Sequence, residues 1–424
     1  RPKTPIWTLC NPGNLCFLNS LLQNLARLSP LIVMLGAAED SCFPVVDANA
    51  NLALAFNHFC RQVNSDGRKS MRASKTTEMF HRVLPHLIAP FASALREQGL
   101  KFGAYYSLLD WSHNDYPGFY NDQGRYKLAE DPIRWQRFLQ FMHGQIGELS
   151  VQFHPDLFWF DGDWEHSESE WQAAKIDQII HASNPNAILN GRLKSYGNYD
   201  TPEQNMPVVH PDRNTWELCL TSNDNWGYRP TDQNMKTVNE VLQIFTECLG
   251  MGGNLLLDIG PKADGTIPEE QVQLLKALGR WTSKHKEAIY GSLAGLPAGH
   301  FHGNSTISKD SMSIYFFVPA VGIDTSNQAN RETQYGNIHS SPVATLNLKV
   351  TVQLKGLMSE IESITVLGTK TTVPFKVVGK IDWSYVPGTL YLDVPISALD
   401  PEISVIKVQL KTPLKLYRGK GGFH

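Results

Sequence analysis

The stretch PDLFWFDGDWEH, residues 155–166, decides how the fold of this chain is interpreted. Its apolar run 157–160 shows no polar alternation, which is typical of a strand buried on both faces of a parallel sheet. Asp161 and Asp163 follow at once, at the carboxyl end of that strand. In a (β/α) barrel this end of each strand builds the active site. Asp161 is therefore a candidate catalytic residue; the alternative is that both carboxylates cap the next helix.

Outward from this stretch, strands alternate with amphipathic helices over residues 89–292. A strand followed by a helix, repeated, predicts a parallel sheet with crossover helices. Polar residues cluster just after the strands, so a TIM-type (β/α) barrel is the expected form. Over 293–424 short runs rich in Val, Ile, Thr and Tyr predict an antiparallel β-sandwich. Residues 1–88 carry helical periodicity. The predicted fold class is thus α/β, with a helical N-terminal segment, a barrel-like domain and a sandwich.

Composition narrows the classes of function. The 424 residues contain 38 Lys and Arg against 41 Asp and Glu, so no basic excess is present to bind a nucleic acid backbone. No apolar run approaches the roughly 20 residues of a membrane span. The 6 cysteines are too sparse for a disulfide scaffold, and none is paired in zinc-ribbon spacing. The sequence begins at Arg1 and shows no secretory signal.

Charged and aromatic residues follow several of the predicted strands. Arg192 follows the strand at 187–190, Glu203 lies in the next loop, and Glu217 belongs to the strand that starts at Trp216. One carboxylate as nucleophile and another as general acid is the machinery of a glycosidase. Arg192 would hold a neighbouring carboxylate ionised, as a nucleophile requires, and an exposed salt bridge is the alternative for it. This hypothesis requires no metal ion and no cofactor.

Several longer stretches resemble one enzyme family. They are GLKFGAYYSLLDW (99–111), DLFWFDGDWE (156–165), NGR (190–192), TPEQ (201–204) and MGGNLLLDIGPKADGTIP (251–268). In these stretches residues 91–292 resemble the barrel of retaining α-L-fucosidases, glycoside hydrolase family 29, and residues 293–424 resemble that family's C-terminal sandwich. The resemblance implies Asp161 as the nucleophile and Glu203 as the general acid/base, with Glu217 as its rival. It also implies a sugar pocket that contains Tyr106, Trp159, Arg192 and Trp226.

The sequence departs from that family near its start. The family's barrel normally begins with strands that carry a His-Trp-Gly stretch and a His-His-Asp-Gly stretch, and neither occurs here. The resemblance therefore implies an incomplete barrel that lacks the first three or so β/α units. Weak or lost activity is the corresponding expectation.

Residues 6–28, IWTLCNPGNLCFLNSLLQNLARL, resemble instead the cysteine box of ubiquitin-specific proteases. That resemblance implies Cys16 as a thiol nucleophile and ubiquitin as a partner. The catalytic His of that family has no match, since Gly299-His300-Phe301 falls in the fucosidase-like part and is interpreted as coincidence. A thiol without its His is not a protease, so a buried structural Cys16 is the favoured alternative.

The leading hypothesis is a retaining α-L-fucosidase that releases terminal α-L-fucose through a covalent glycosyl-enzyme. Its partners would be fucosylated glycans or glycoconjugates, and the family resemblance implies a secreted or lysosomal protein. The alternatives are a fragment of a ubiquitin-specific protease that uses Cys16, and a non-catalytic fusion product.

Overall fold

The structure is a computed structural model that describes residues 88–118, 124–213, 215–262, 266–319, 349–369 and 371–419. The predicted helical segment lies outside these residues except for its last position, and Cys16 lies outside them too. No helix in the described part of the chain is both long and apolar enough to cross a membrane.

The first part of the structure is built on parallel strands. Strands β1 (Gly103–Ser107), β2 (Leu157–Asp161) and β3 (Ile188–Leu189) pair in that order, and β4 (Glu217–Thr221) pairs with β5 (Asn254–Asp258). Every one of these ladders is parallel. Sequence-adjacent parallel strands lying side by side are the arrangement of a (β/α) barrel.

Residues 198–204 join the two parallel sheets. Three isolated parallel bridges connect this segment to its neighbours, namely Asn190 to Tyr199, Asp200 to Trp216 and Glu203 to Cys219. The strands and this segment therefore form one parallel arc in sequence order: β1, β2, β3, residues 198–204, β4 and β5. Among the described residues, β1 pairs only with β2 and β5 pairs only with β4.

Helices cover the outer face of the arc. They are α1 (88–97), α2 (Pro132–Phe153), α3 (Ala173–Ser183), α4 (Val238–Gly250), α5 (Glu269–Lys284) and the short α6 (Lys286–Ile289). Helix α2 begins with Pro132, and the Asp131 carboxylate accepts the backbone N–H of Arg134. Helix α4 begins with a capping box between Thr237 and Glu240.

Strand β2 is not buried on both faces, contrary to the expectation from its unbroken apolar run. Phe158 and Phe160 are fully buried against α2, whereas Trp159 and Asp161 are partly exposed on the inner face of the arc. The strand therefore alternates in burial. The reason is that helices cover its outer face, while its inner face forms the wall of the candidate site.

The second part consists of two antiparallel sheets. The strands are β6 (Asn304–Ile307), β7 (Ser313–Pro319), β8 (Lys349–Lys355), β9 (Ile361–Val366), β10 (Phe375–Val378), β11 (Thr389–Pro395) and β12 (Ile403–Leu410). One sheet has the order β6-β7-β12-β9 and the other β10-β11-β8, with a shared apolar core between them. The α/β class with antiparallel sheets after it is confirmed. The predicted domain boundary at residues 292 and 293 stays a prediction.

The two parts are packed together through α5. The indole N–H of Trp281 donates to the backbone oxygen of Ile403 at 2.7 Å, inside an apolar cluster shared by both parts. The ammonium group of Lys284 contacts the Asp400 carboxylate at 2.8 Å. A buried indole with its hydrogen bond satisfied fixes the helix against β12.

Candidate active site

One arginine binds two carboxylates at the carboxyl edge of the arc. Arg192 donates from Nη1 to Oδ1 of Asp161 at 2.7 Å and from Nη2 to Oε2 of Glu203 at 2.6 Å. Its Nε donates to the hydroxyl of Thr201 at 3.2 Å. A planar guanidinium that holds two acids brings their oxygens to within about 8 Å of each other.

Aromatic side chains form the wall beneath this ion-pair cluster. The guanidinium of Arg192 lies 4.6 Å from the ring centroid of Trp159, and that indole stacks on Tyr105 at 5.6 Å. The Tyr105 hydroxyl donates to Oδ2 of Asp161 at 2.6 Å. The indole N–H of Trp159 donates to Oε1 of Glu217 at 3.3 Å. The Asp161 carboxylate is thus bound by the phenol of Tyr105 and by the guanidinium of Arg192. The Glu217 carboxylate binds the indole of Trp159.

The local sequence explains why these groups meet. Asp161 ends β2, and Gly162 turns the chain with φ of 82°, a conformation that favours glycine. A Cβ at Gly162 would lie 2.3 Å from Cγ of Leu109, so no larger residue fits without movement. The buried Asn190 side chain bonds to both backbone groups of Phe160 at 2.8 Å. This clamp fixes the start of the segment that carries Arg192 against the strand that carries Asp161.

Burial sets the protonation of several groups in this wall. It raises the pKa of Tyr105, and the hydrogen bond to Asp161 adds to that effect, so the phenol remains a donor. Burial also raises the pKa of Glu217, partly opposed by the indole N–H of Trp159. The Cys219 thiol, on the same face of β4, has its pKa raised to about 12 by burial and by Glu217. That thiol stays protonated and is no nucleophile.

The structure brings together four of the predicted residues, Asp161, Glu203, Arg192 and Trp159, and places Glu217 within hydrogen-bond distance of the Trp159 indole. Tyr106 is not among them. It lies on the outer face of β1, where its hydroxyl donates to Gln145 of α2 at 2.7 Å. Tyr105 occupies the inner face instead, because neighbouring residues of a strand point to opposite faces.

One other predicted residue, Trp226, lies elsewhere, as does His300, whose match to a protease motif was interpreted as coincidence. Trp226 is in the loop after β4, where 44% of it is exposed. His300 bonds through Nδ1 to the backbone oxygen of Lys355 at 2.8 Å, in the sandwich.

Two functional candidates were not predicted from the sequence. Tyr105 directly precedes Tyr106, the residue that the family resemblance implies for the sugar pocket. Asp258 ends β5 as Asp161 ends β2, so its position after the apolar run 255–257 was an available signal. Burial raises the pKa of Asp258 to about 7, and its Oδ2 has no hydrogen-bond partner among the described residues. In the same described residues, no group of His, Cys, Asp and Glu side chains has the arrangement of a metal site.

Paired carboxylates at the carboxyl ends of parallel strands fit the two-acid chemistry of (β/α) glycoside hydrolases. A family model described as alpha-L-fucosidase matches residues 71–287, just over half of the chain. The chain belongs to the α-L-fucosidase family, and the predicted resemblance to that family is confirmed.

Individual relatives agree with this membership. Tissue alpha-L-fucosidase of Rattus norvegicus is 31% identical over 224 residues, which cover 49% of this chain and 46% of the relative. Tissue alpha-L-fucosidase of Homo sapiens is 32% identical over 224 residues, with the same coverage. The chain therefore spans about half the length of the curated relatives that it matches.

Solved structures share the fold over a larger part of the chain. Alpha-L-fucosidase isoenzyme 1 from Paenibacillus thiaminolyticus superposes with a TM-score of 0.60 and 27% identity, over 77% of this chain and 76% of that one. An alpha-L-fucosidase from Vibrio sp. strain EJY3 superposes with a TM-score of 0.59 and 24% identity, over 78% of this chain and 55% of that one. The second likeness concerns the fold alone.

Proposed function

We propose that the protein is a retaining glycoside hydrolase that removes terminal α-L-fucose from glycans. The observation that carries this proposal is the contact of one guanidinium with both Asp161 and Glu203. Family membership and the names of the relatives support fucose as the sugar. The roles of individual side chains in the reaction are part of this proposal.

In the first step, a carboxylate oxygen of Asp161 forms a bond to the anomeric carbon. The glycosidic bond breaks, its electron pair goes to the leaving oxygen, and that oxygen takes a proton from Glu203. In the second step, Glu203 takes a proton from water, and the water oxygen replaces Asp161 at the anomeric carbon. Two displacements retain the configuration, and the carboxyl separation of retaining enzymes, about 5–5.5 Å, lies within the reach of one bridging guanidinium.

The surrounding side chains have supporting roles in this mechanism. Arg192 and Tyr105 each bond one oxygen of Asp161, which orients the carboxylate for attack. The Trp159 ring packs against both Arg192 and Tyr105 and so holds these two contacts of Asp161 in place. Glu217 braces Trp159 through the indole N–H.

Glu203 and Glu217 are rivals for the acid/base role. Glu203 is the more accessible, with 40% of its side chain exposed, and it shares Arg192 with Asp161. Glu217 is more buried, and its raised pKa is the property that a general acid needs. We assign the role to Glu203, because one guanidinium brings its carboxylate close to that of Asp161 and because it is the more accessible of the two to a leaving oxygen and to water, whereas the carboxylate of Glu217 binds the indole N–H of Trp159.

We propose further that residues 89–292 form part of a (β/α) barrel and 293–424 a separate sandwich domain. The parallel arc in sequence order supports the barrel, and the two antiparallel sheets support the sandwich. A ubiquitin-specific protease activity at Cys16 stays a prediction from the cysteine box, and no observation on the described residues favours it.

The test is hydrolysis of 4-nitrophenyl α-L-fucoside by the full chain, with the β-L-fucoside and the α-galactoside as control substrates. We expect release of nitrophenol from the α-L-fucoside alone. An activated 2-fluoro-fucoside should leave a covalent adduct, because the fluorine slows both oxocarbenium-like steps while the activated leaving group speeds up the first alone. Peptide mass spectrometry should locate the adduct on Asp161. An adduct on another residue, or hydrolysis of all three substrates at similar rates, would contradict the proposal.

A further inference from the structure

The backbone on either side of Glu203 is hydrogen-bonded to β4. The backbone N–H of Cys219 donates to the oxygen of Pro202 at 2.9 Å, and that of Gln204 donates to the oxygen of Cys219 at 2.8 Å. These two bonds enclose Glu203 in the pattern of a parallel ladder, where one residue bonds the residues before and after its partner. The backbone that carries the Glu203 carboxylate is therefore fixed to the sheet up to this point.

The chain turns away from the ladder directly after Glu203. The backbone N–H of Asn205 donates to the oxygen of Glu203 at 2.8 Å, and Gln204 between them has a φ of 63°. A hydrogen bond across three residues with a positive φ at the middle one is the form of the classic γ-turn, which is rare and strained. For a residue other than glycine, such a conformation persists only where surrounding contacts hold it, and it occurs preferentially at functional sites.

The side chain of Gln204 supplies the contact that holds this turn. Thr221 is buried at the end of β4, and its backbone N–H would meet the main-chain oxygen of Gln204 if the ladder continued. Because the chain has turned away, that N–H donates instead to the side-chain oxygen Oε1 of Gln204 at 3.3 Å. The Thr221 hydroxyl, 3.1 Å from Oε1, shares its one proton between this oxygen and the backbone oxygen of Asn223. The amide side chain thus takes the place of the missing ladder step.

The turn matters for Glu203 because packing does little to hold that side chain. It is 40% exposed, and its carboxylate contacts Arg192 at 2.6 Å. The direction in which the side chain leaves the backbone therefore decides whether the carboxylate meets the guanidinium. Without the carbonyl of Gln204, the buried N–H of Thr221 would lose its acceptor, and the turn would lose the contact that keeps its φ positive.

We propose that Gln204 is a positioning residue for the acid/base, and that its side-chain carbonyl keeps the turn in the form that places the Glu203 carboxylate on Arg192. This inference rests on the proposed function, in which Glu203 protonates the leaving oxygen. Glycine at position 204 would adopt the positive φ without strain but would offer no acceptor to Thr221. The side-chain contact, and not the freedom of the backbone, is therefore what this position requires.

The experiment measures kcat/KM of the full chain for a series of aryl α-L-fucosides, from 4-nitrophenyl to phenyl. Gln204→Gly removes the acceptor, and Asn205→Gly is the matched control, since it truncates the next residue, which is exposed. We expect Gln204→Gly to stay within about twofold on the nitrophenyl substrate and to lose about tenfold on the phenyl one, because a poor leaving group needs the proton. Gln204→Glu, which keeps an acceptor, should recover the phenyl substrate to within about threefold, and Asn205→Gly should leave both unchanged.

A loss of equal size on every substrate, no loss, or no recovery in Gln204→Glu overturns the positioning role. A crystal structure of Gln204→Gly gives a readout that needs no turnover: the contact between Glu203 and Arg192 should be lost there and kept in Asn205→Gly. If the unaltered chain cleaves no fucoside, the proposed reaction is overturned, and this comparison alone decides whether Gln204 positions Glu203. Thermal unfolding checks each variant; if Gln204→Gly does not fold, Gln204→Asn, whose carbonyl is one methylene shorter, takes its place with the same expectations.

Discussion

Replacing Arg192 with glutamine removes the group that holds the two acids together. The Arg192 side chain is 13% exposed, against 25% for that of Asp161 and 40% for that of Glu203. The substitution therefore leaves two partly buried carboxylates without their cationic partner. A hydrogen bond to a charged group contributes about 1.5–3 kcal/mol when buried, and exposure of Glu203 reduces its share. We therefore expect a loss of about 3 kcal/mol in transition-state stabilisation, which corresponds to roughly 100-fold in kcat/KM.

The assay is kcat/KM for an aryl α-L-fucoside, accompanied by thermal unfolding. Arg213→Gln is the matched control, since Arg213 pairs with Asp200 in the same region and not with Asp161 or Glu203. Arg192→Lys should give an intermediate loss, because an ammonium cannot bind both acids with the geometry of a guanidinium. If Arg192→Gln stays within about threefold of the unaltered protein, or loses no more than Arg213→Gln, the bridging role is wrong.

Three further outcomes are expected. Asp161→Gly should abolish hydrolysis with the fold intact, and azide should restore some turnover and yield a fucosyl azide; activity without azide would exclude Asp161 as the nucleophile. Glu203→Ala should impair substrates with poor leaving groups far more than nitrophenyl ones, because only the former need the proton; the same dependence in Glu217→Ala alone would reverse the two roles. Asp258→Asn should raise the unfolding temperature by about 2–4 °C at pH 8 and change it little at pH 4. Folding raises the pKa of this carboxyl from an unfolded value of about 4 to about 7, so its destabilising effect grows across that pH range and is complete only above it. Solvent screening of this half-buried group limits the gain in unfolding free energy to about 1–2 kcal/mol. An equal shift of the unfolding temperature at both pH values would show that the gain comes from packing and not from removal of the charge.

Much of the architecture follows from the sequence because its signals are local. The apolar run 157–160 becomes β2 and the leucine-rich run 254–259 becomes β5, and the periodic runs beside them become helices. Residues 198–204 could not be predicted as part of the sheet. This segment contains Asn198, Asp200 and Pro202, residues depleted in strands, and it enters the arc through a few ladder contacts set by its neighbours.

The candidate site was predicted less completely, for a reason that lies in strand geometry. Motif similarity selects a stretch of β1, but a shift by one residue moves a side chain to the other face. Tyr106 therefore falls on the outer face and Tyr105 on the inner one, a distinction that depends on which face α2 covers. Asp161, Arg192 and Glu203 were predictable because each follows a strand, and the carboxyl ends of parallel strands meet at one edge.

The inner face of the arc shows what governs the proposed reaction beyond the carboxylate pair. In a closed barrel the inward side chains are packed in layers by all the strands. Here Leu256 on β5 is 44% exposed and Tyr105 on β1 is 41% exposed, each on the inner face and each at one end of the described arc. Of the groups that contact Asp161, Arg192 lies between these ends, whereas Tyr105 lies on the edge strand β1 itself. Turnover by the full chain consequently depends on two different things: the Arg192 bridge, which the described residues contain, and the contacts to the sugar from the open side, which they do not.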